Sequence, residues 1–352
     1  MGKLLCLVAA LQTQPGGPGQ EKGAGHMLGG EGPGEGFFIK TTTFVFWKNN
    51  RNHLLEKLFI FLLFIILLGS FFHEIVPIWK TKMTDFEDTW LKKQRNRTDI
   101  LNNTCLKKSL SSSEWQLEHD VAWQLFVDEN HKFIYCEVPK VGCSNWKKII
   151  LLFTLNLSRD TSEVNHGTIH ITKLLKRLTT YPPEQQMEIL TTYTKVMFTR
   201  HPLERLVSAY RDKFLHSEPY YSITVANKIK AFSRKDTNST KKVTFPEFVN
   251  YLVTRNPNDM DVHWKPMFLL CDPCNIHYDI LGKLETLAED ADHVLRRIGA
   301  PESLHFPNGK IYTSEKRTSK AITSNYLKQL SFDQVQKVKE VYQKDFSLFN
   351  YS

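Results

Sequence analysis

Glycine is scarce over most of this chain. Of its 17 glycines, 11 fall within residues 1–36. The remainder cannot supply the G-x-x-x-x-G-K-[ST] loop of nucleoside triphosphatases. The one loop with phosphate-binding features has a single glycine, Gly142, and its lysine, Lys140, comes before it. That loop also lacks a clear magnesium-binding aspartate, which counts against a kinase or an NTPase. Cysteine is sparse too: Cys6, Cys105, Cys136, Cys143, Cys271 and Cys274. Only Cys271 and Cys274 form a C-x-x-C pair, and no second pair stands ready to complete a zinc site. The pair ends a helical run and precedes a strand, the reverse of a thioredoxin-type motif. Structural disulfides are the expected use, with their partners left open. No internal repeat is present.

What the chain does have is the stretch Phe133–Leu152, FIYCEVPKVGCSNWKKIILL. Its apolar start, Phe133 to Val138, reads as a buried strand. Pro139 cannot donate to a sheet ladder, so the strand stops there. Gly142 permits a tight turn, and Ser144 or Asn145 is a candidate cap for a new helix. Trp146, Ile149, Ile150 and Phe153 then recur at helical spacing. Strand, tight loop and helix N-terminus in succession make an anion site, because loop N–H groups and the positive end of the helix converge. Lys140 adds a full charge and Ser144 a hydroxyl.

A second constellation, KVMFTRHPLERLVSAYRDKF, spans Lys195 to Phe214. A strand over Lys195–Thr199 ends at Arg200, and Pro202 suits the first turn of the next helix. Leu203, Leu206, Val207, Tyr210 and Phe214 share one face, with Ser208 elsewhere. Arg211 and Lys213 read as solvated. Arg200 differs, standing at the carboxyl end of a strand, where open α/β sheets bind ligands and a guanidinium can grip a phosphate bidentately.

PKVGCSNWKK followed about sixty residues later by RHPLERLVSAY resembles the Golgi carbohydrate sulfotransferases. Within them it is most similar to the group that sulfates the 4-position of N-acetylgalactosamine. The likeness runs from about Phe126 to Tyr351. It implies the sulfuryl donor 3′-phosphoadenosine 5′-phosphosulfate (PAPS), held by basic side chains with no metal. Pro139, Lys140, Val141, Gly142, Cys143, Ser144 and Asn145 would form the 5′-phosphosulfate loop. Arg200 and Ser208 would bind the 3′-phosphate, and Arg317 with Thr318 resembles a loop that closes over the donor. Lys140 would stabilise charge in the transfer. Base candidates are His170, His166, His263 and Glu285; the placement of the base in related enzymes favours His170. Intact Lys140, Arg200 and Ser208 argue against a catalytically silent, membrane-anchored glycan-binding protein.

The rest of the chain fits that resemblance. Residues 1–53 begin with a glycine-rich stretch that buries too little apolar surface to order itself. Residues 54–79 contain the uncharged run Leu58–Phe72 and read as a transmembrane signal-anchor. Residues 80–120 are polar and read as a stem. Residues 121–352 are long enough for one sizeable core. Strands are expected at Phe133–Val138, Lys195–Thr199 and His277–Gly282. Helices are expected at Ser144–Phe153, Pro202–Phe214, Phe245–Val253, Leu287–Ile298 and Phe332–Phe346. The alternation implies an α/β fold, a parallel sheet flanked by helices on both faces. Sequons at Asn96, Asn102, Asn156, Asn238 and Asn350 fit luminal exposure. The expected placement is a Golgi membrane protein, single-pass type II, acting on a glycan, glycoprotein or proteoglycan acceptor, with no nucleic-acid partner. CEVPKVGCSNWKK and DMDVHW look most like enzymes acting on terminal N-acetylgalactosamine, with chondroitin and dermatan 4-O-sulfotransferases close behind.

Overall fold

The computed structural model describes residues 41–157, 161–165, 167–171, 173–216, 218–234, 240–307 and 317–352. The chain divides into two compact units, Met1–Lys80 and Thr81–Ser352. In the first, the described residues belong to helix α1 (Thr41–Lys107), which runs on into the second. Its segment His53–Val76 has a mean hydropathy of 2.4 and is long and apolar enough to cross a bilayer.

The second unit is built on a four-stranded sheet in the order β1 (Leu125–Asp128), β2 (Phe133–Cys136), β3 (Thr194–Thr199), β4 (Ile280–Lys283). β2, β3 and β4 are parallel, whereas β1 pairs antiparallel with β2, so the sheet is mixed rather than purely parallel. The sequence pattern hid β1, because a four-residue strand returning through a short turn carries no alternation of its own. Nearly every strand residue is buried, as expected for strands covered on both faces. Gly282 of β4 sits directly opposite Phe198 of β3, and a Cβ there would lie 2.2 Å from the Phe198 ring. Only glycine allows that ring to lie flat across the strand pair.

Around the sheet the helices follow in chain order: α2 (His119–Gln124), α3 (Cys143–Thr154), α4 (Thr168–Ile171), α5 (Pro183–Thr192) and α6 (Pro202–Phe214). A π-helix, Tyr220–Val225, leads into α7 (Ala226–Ser233) and α8 (Phe245–Val253). Next come α9 (Met267–Cys271), α10 (Pro273–Ile276), α11 (Leu287–Arg297), α12 (Lys320–Leu327), α13 (Phe332–Val341) and α14 (Gln343–Leu348). The single helix expected over Phe332–Phe346 is thus two, broken at Tyr342. One apolar cluster combines the sheet with α3, α9 and α11. Trp146 is its hub, with Phe133, Tyr135, Phe198 and Phe306 all within 5.7 Å of it, centroid to centroid. A second cluster joins α6, the π-helix, α7, α8 and α13.

The polar stretch expected as a stem over residues 80–120 is in large part structural. Trp90, Leu101 and Cys105 of α1 are buried in the sheet's own cluster. Gln94 accepts from the Leu281 N–H and Arg97 donates to the Leu281 carbonyl, satisfying the outer side of edge strand β4. Covering an edge in this way blocks unwanted strand addition. The fully buried Asp290 carboxylate collects Trp90, Gln94, Arg97 and Thr286. Charged and amide residues dominate this face, so composition read it as solvent-facing.

The disulfides are Cys105–Cys274 and Cys136–Cys271. Each half of the C-x-x-C motif therefore pairs with a distant cysteine, as a structural use requires.

Candidate active site

The loop after β2 takes a sharper path than its one glycine suggests. Both Lys140 (φ +73°) and Gly142 (φ +82°) are left-handed. At Gly142 a Cβ would also press on Leu287 at 3.0 Å, so glycine is required twice over. Gly142 itself caps α3, without a side chain. Ser144 and Asn145, expected as the cap, lie inside the first turn, and Asn145 instead donates to the Pro307 carbonyl at 3.0 Å. The helix start is thus left without a capping side chain.

Lys140 is largely enclosed. Its ammonium lies 3.2 Å from Asp212, and both side chains are 21 % exposed. Burial pulls the Lys140 pKa down while Asp212 pushes it back up. Burial opposes ionisation of Asp212 in turn, but Lys140 and Lys213 outweigh it and keep the carboxyl below its usual range. Lys213, expected in solvent, is only 12 % exposed; it lies between Asp212 and Glu218 and over the Tyr221 ring. Arg211 is also engaged, donating to the Thr318 hydroxyl at 2.8 Å.

Arg200 emerges at the carboxyl end of β3, beside the loop. Its Nη1 donates to the Lys140 carbonyl at 3.2 Å and its Nη2 to the Thr318 carbonyl at 2.7 Å. Glu204 stands 3.8 Å away. Burial pulls the guanidinium pKa down to about 10. Its Nε is buried without a partner among the described residues, and a buried unpaired donor is costly enough to call for an acceptor. Ser208 is half-buried on α6, one helical turn from Glu204, Arg211 and Asp212. Arg317 is exposed beside Thr318, whose two contacts with Arg200 and Arg211 bring this segment to the same place.

Of the base candidates, His263 reaches this cluster. Its Nδ1 lies 2.7 Å from Asp261 and 3.0 Å from the Tyr221 hydroxyl. Burial lowers its pKa, with Lys213 and Lys140 adding to the effect and Asp261 opposing it. Glu285 is exposed and accepts from the Tyr351 hydroxyl at 3.2 Å, and its charge acts on Arg200. His170 falls in the short helix α4, and its side chain lies outside the described residues, as does His166 altogether.

Sequence reasoning missed Arg205. Fully buried on α6, it donates to the carbonyls of Pro139, Val262 and Lys265 at 2.7–3.0 Å. It therefore joins the loop to the segment carrying His263. Its one signal was a charged residue within the apolar stripe of an amphipathic helix. Asp212, Asp261 and Tyr221 were missed as well: Asp212 and Tyr221 meet partners 72 and 40–42 residues away that nothing local names, and Asp261 was passed over although it stands two residues before His263.

A family model described as "Sulfotransferase family" matches residues 123–352. The chain is 41% identical over 266 residues to carbohydrate sulfotransferase 8 of Mus musculus, covering 74% of this chain and 64% of that protein. It is 38% identical to carbohydrate sulfotransferase 9 of Homo sapiens, covering 79% and 65% of the two chains. With carbohydrate sulfotransferase 11 of Rattus norvegicus it shares 36% identity, covering 73% and 75%. The chain thus spans just under two thirds of the length of the first two relatives. No solved structure matches it significantly.

Proposed function

Because the chain belongs to the sulfotransferase family, we propose that it transfers a sulfuryl group from PAPS to a carbohydrate hydroxyl. The observation that carries this reading is the convergence of two cationic grips. Lys140 and Arg200 follow the carboxyl ends of adjacent parallel strands, and Arg200 holds an unpaired, buried Nε. Two grips suit a donor with two phosphate positions. Pro139 to Asn145 would surround the 5′-phosphosulfate, with Lys140 and the α3 N–H groups stabilising charge as the S–O bond breaks. Arg200 and Ser208 would hold the 3′-phosphate, with Arg317 and Thr318 closing over it. PAPS supplies the sulfuryl group and carries the phosphate that leaves.

For the acceptor we take the 4-hydroxyl of N-acetylgalactosamine, on the resemblance of CEVPKVGCSNWKK and DMDVHW to enzymes of that specificity. His53–Val76 as a type II anchor would place residues beyond it in the Golgi lumen, where the sequons can be glycosylated.

The test uses the full chain, expressed in animal cells and solubilised in detergent. Radiolabelled sulfate should pass from PAPS to N-glycans ending in N-acetylgalactosamine, with chondroitin and dermatan tested in parallel. N-glycan removal should increase the protein's mobility. Absence of transfer to every glycan, with adenosine 3′,5′-bisphosphate failing to bind, would overturn the reading.

A further inference from the structure

Beside the donor grips, one group of side chains is too specific in its geometry to be packing alone. His263 lies beside Asp261, Tyr221, Lys213, Asp212 and Lys140, which come from four different parts of the chain. Asp261 stands two residues before it, Tyr221 lies on the π-helix, Asp212 and Lys213 on α6, and Lys140 on the donor loop. A π-turn inside a helical run is often found at functional sites.

The contacts around His263 point to one arrangement of protons. The Asp261 Oδ1 accepts from the His263 backbone N–H at 2.9 Å and faces the His263 Nδ1 at 2.7 Å. The other oxygen accepts from the Tyr221 hydroxyl at 3.0 Å. The Tyr221 hydroxyl is also 3.0 Å from Nδ1, but a bare Nδ1 would be repelled by the carboxylate oxygen 2.7 Å away, so the proton sits on Nδ1 and Tyr221 gives its own to Asp261. Nε2 is then the bare nitrogen of a neutral imidazole, and it makes no hydrogen bond among the described residues. The Tyr221 ring stands edge-on to the imidazole, 83° between planes, and Lys213 lies 4.5 Å over its face. These contacts fix the ring's direction as well as its tautomer. Burial, with the two lysines, lowers the imidazole's pKa against the pull of Asp261 and so favours the neutral ring.

We propose that Asp261 and Tyr221 are positioning residues that hold His263 with Nε2 presented as the acceptor of the glycan hydroxyl's proton. This rests on the sulfuryl-transfer reading above. In the step, His263 Nε2 takes the hydroxyl proton as the sugar oxygen forms its bond to sulfur. The bond between sulfur and the bridging oxygen breaks, and its electron pair leaves with the 5′-phosphate of adenosine 3′,5′-bisphosphate. Asp261 then faces an imidazolium, which its charge stabilises. Glu285 is not suited to the role, since it is exposed and already accepts from the Tyr351 hydroxyl.

The experiment measures turnover against pH, and separately the binding of adenosine 3′,5′-bisphosphate by calorimetry, on the full chain and four variants. His263→Ala should lose about two to four orders of magnitude in kcat, with bisphosphate affinity changed less than about threefold. Asp261→Asn should lower kcat by a smaller factor, because the amide oxygen can still accept from the His263 backbone N–H and from Nδ1–H but carries no charge to stabilise the imidazolium. Its residual activity should show the acidic limb at lower pH, since the carboxylate that raised the imidazole's pKa is gone. Asp261→Glu should recover part of the turnover. Tyr221→Phe removes a single hydroxyl and is the variant least disruptive to folding. It should lower kcat about three- to tenfold and move the acidic limb upward, because the unshared carboxylate holds the imidazolium more strongly. Wild-type turnover in His263→Ala, or unchanged kcat and pH limb in Asp261→Asn and Tyr221→Phe, overturns the inference while leaving the donor reading intact. Failure of the unmodified chain to bind the bisphosphate or transfer sulfate overturns both.

Discussion

Arg200 is buried, binds two carbonyls, lies near one carboxylate, and keeps one N–H unused among the described residues. Lys140 is held by one aspartate on the neighbouring helix. Their losses should therefore differ in kind. Arg200→Ala should chiefly weaken adenosine 3′,5′-bisphosphate binding, while Lys140→Ala should chiefly lower kcat. Each lost charge-assisted contact is worth about 1.5–3 kcal/mol, which is ten- to a hundredfold. Calorimetry and initial rates on each variant separate the two effects, and near wild-type values in either would remove its role. These two residues were legible because strand-end cations after short apolar runs have a recognisable local setting. Asp212 and Arg205 were not, because their meaning depends on which turn of α6 meets the Pro139 loop.

Among the elements, α8 was read with the bounds the structure gives it, Phe245–Val253. Its start carries a full capping box, in which the Thr244 hydroxyl accepts from the Glu247 N–H and Glu247 returns to the Thr244 N–H. Arg234 grips the same carboxylate with Nε and Nη2 and, more than any other contact, lowers the Glu247 pKa to about 2. A depressed carboxyl pKa contributes stability that is full above its unfolded value, near 4.5, and fades as pH falls toward 2. Glu247→Gln should flatten that part of the stability–pH curve, measured by urea unfolding between pH 7 and 3. Thr244→Ala should cost about 1 kcal/mol at neutral pH. Elements such as α8 show in sequence because cap and apolar period lie within ten residues. β1 and the packing face of α1 do not, since one is too short for a pattern and the other is polar where it binds.

In the molecule as a whole, the disulfides bind segments far apart in sequence. Cys105–Cys274 spans 169 residues and Cys136–Cys271 spans 135. The first fastens the end of α1 to α10, and the second fastens the strand before the donor loop to α9. Loops this long restrict the unfolded chain strongly, and loss of either bridge should cost about 2–5 kcal/mol. Cys105→Ser should lower the midpoint of thermal unfolding. Cys136→Ser should do so too and should also weaken bisphosphate binding, because its bridge lies four residues from Lys140. Equal, small effects on both measurements would argue against that distinction.

On the proposed sulfuryl-transfer reading, the Arg205 guanidinium would give the two substrates a common lever. By holding Pro139 with one hand and Val262 and Lys265 with the other, it ties any shift of the donor loop to the segment that presents His263. Linkage then demands reciprocity: if adenosine 3′,5′-bisphosphate tightens the acceptor glycan by some factor, the glycan must tighten the bisphosphate by the same factor. Arg205→Met should bring that factor toward one, so that the two substrates fill the cleft in either order, each indifferent to the other.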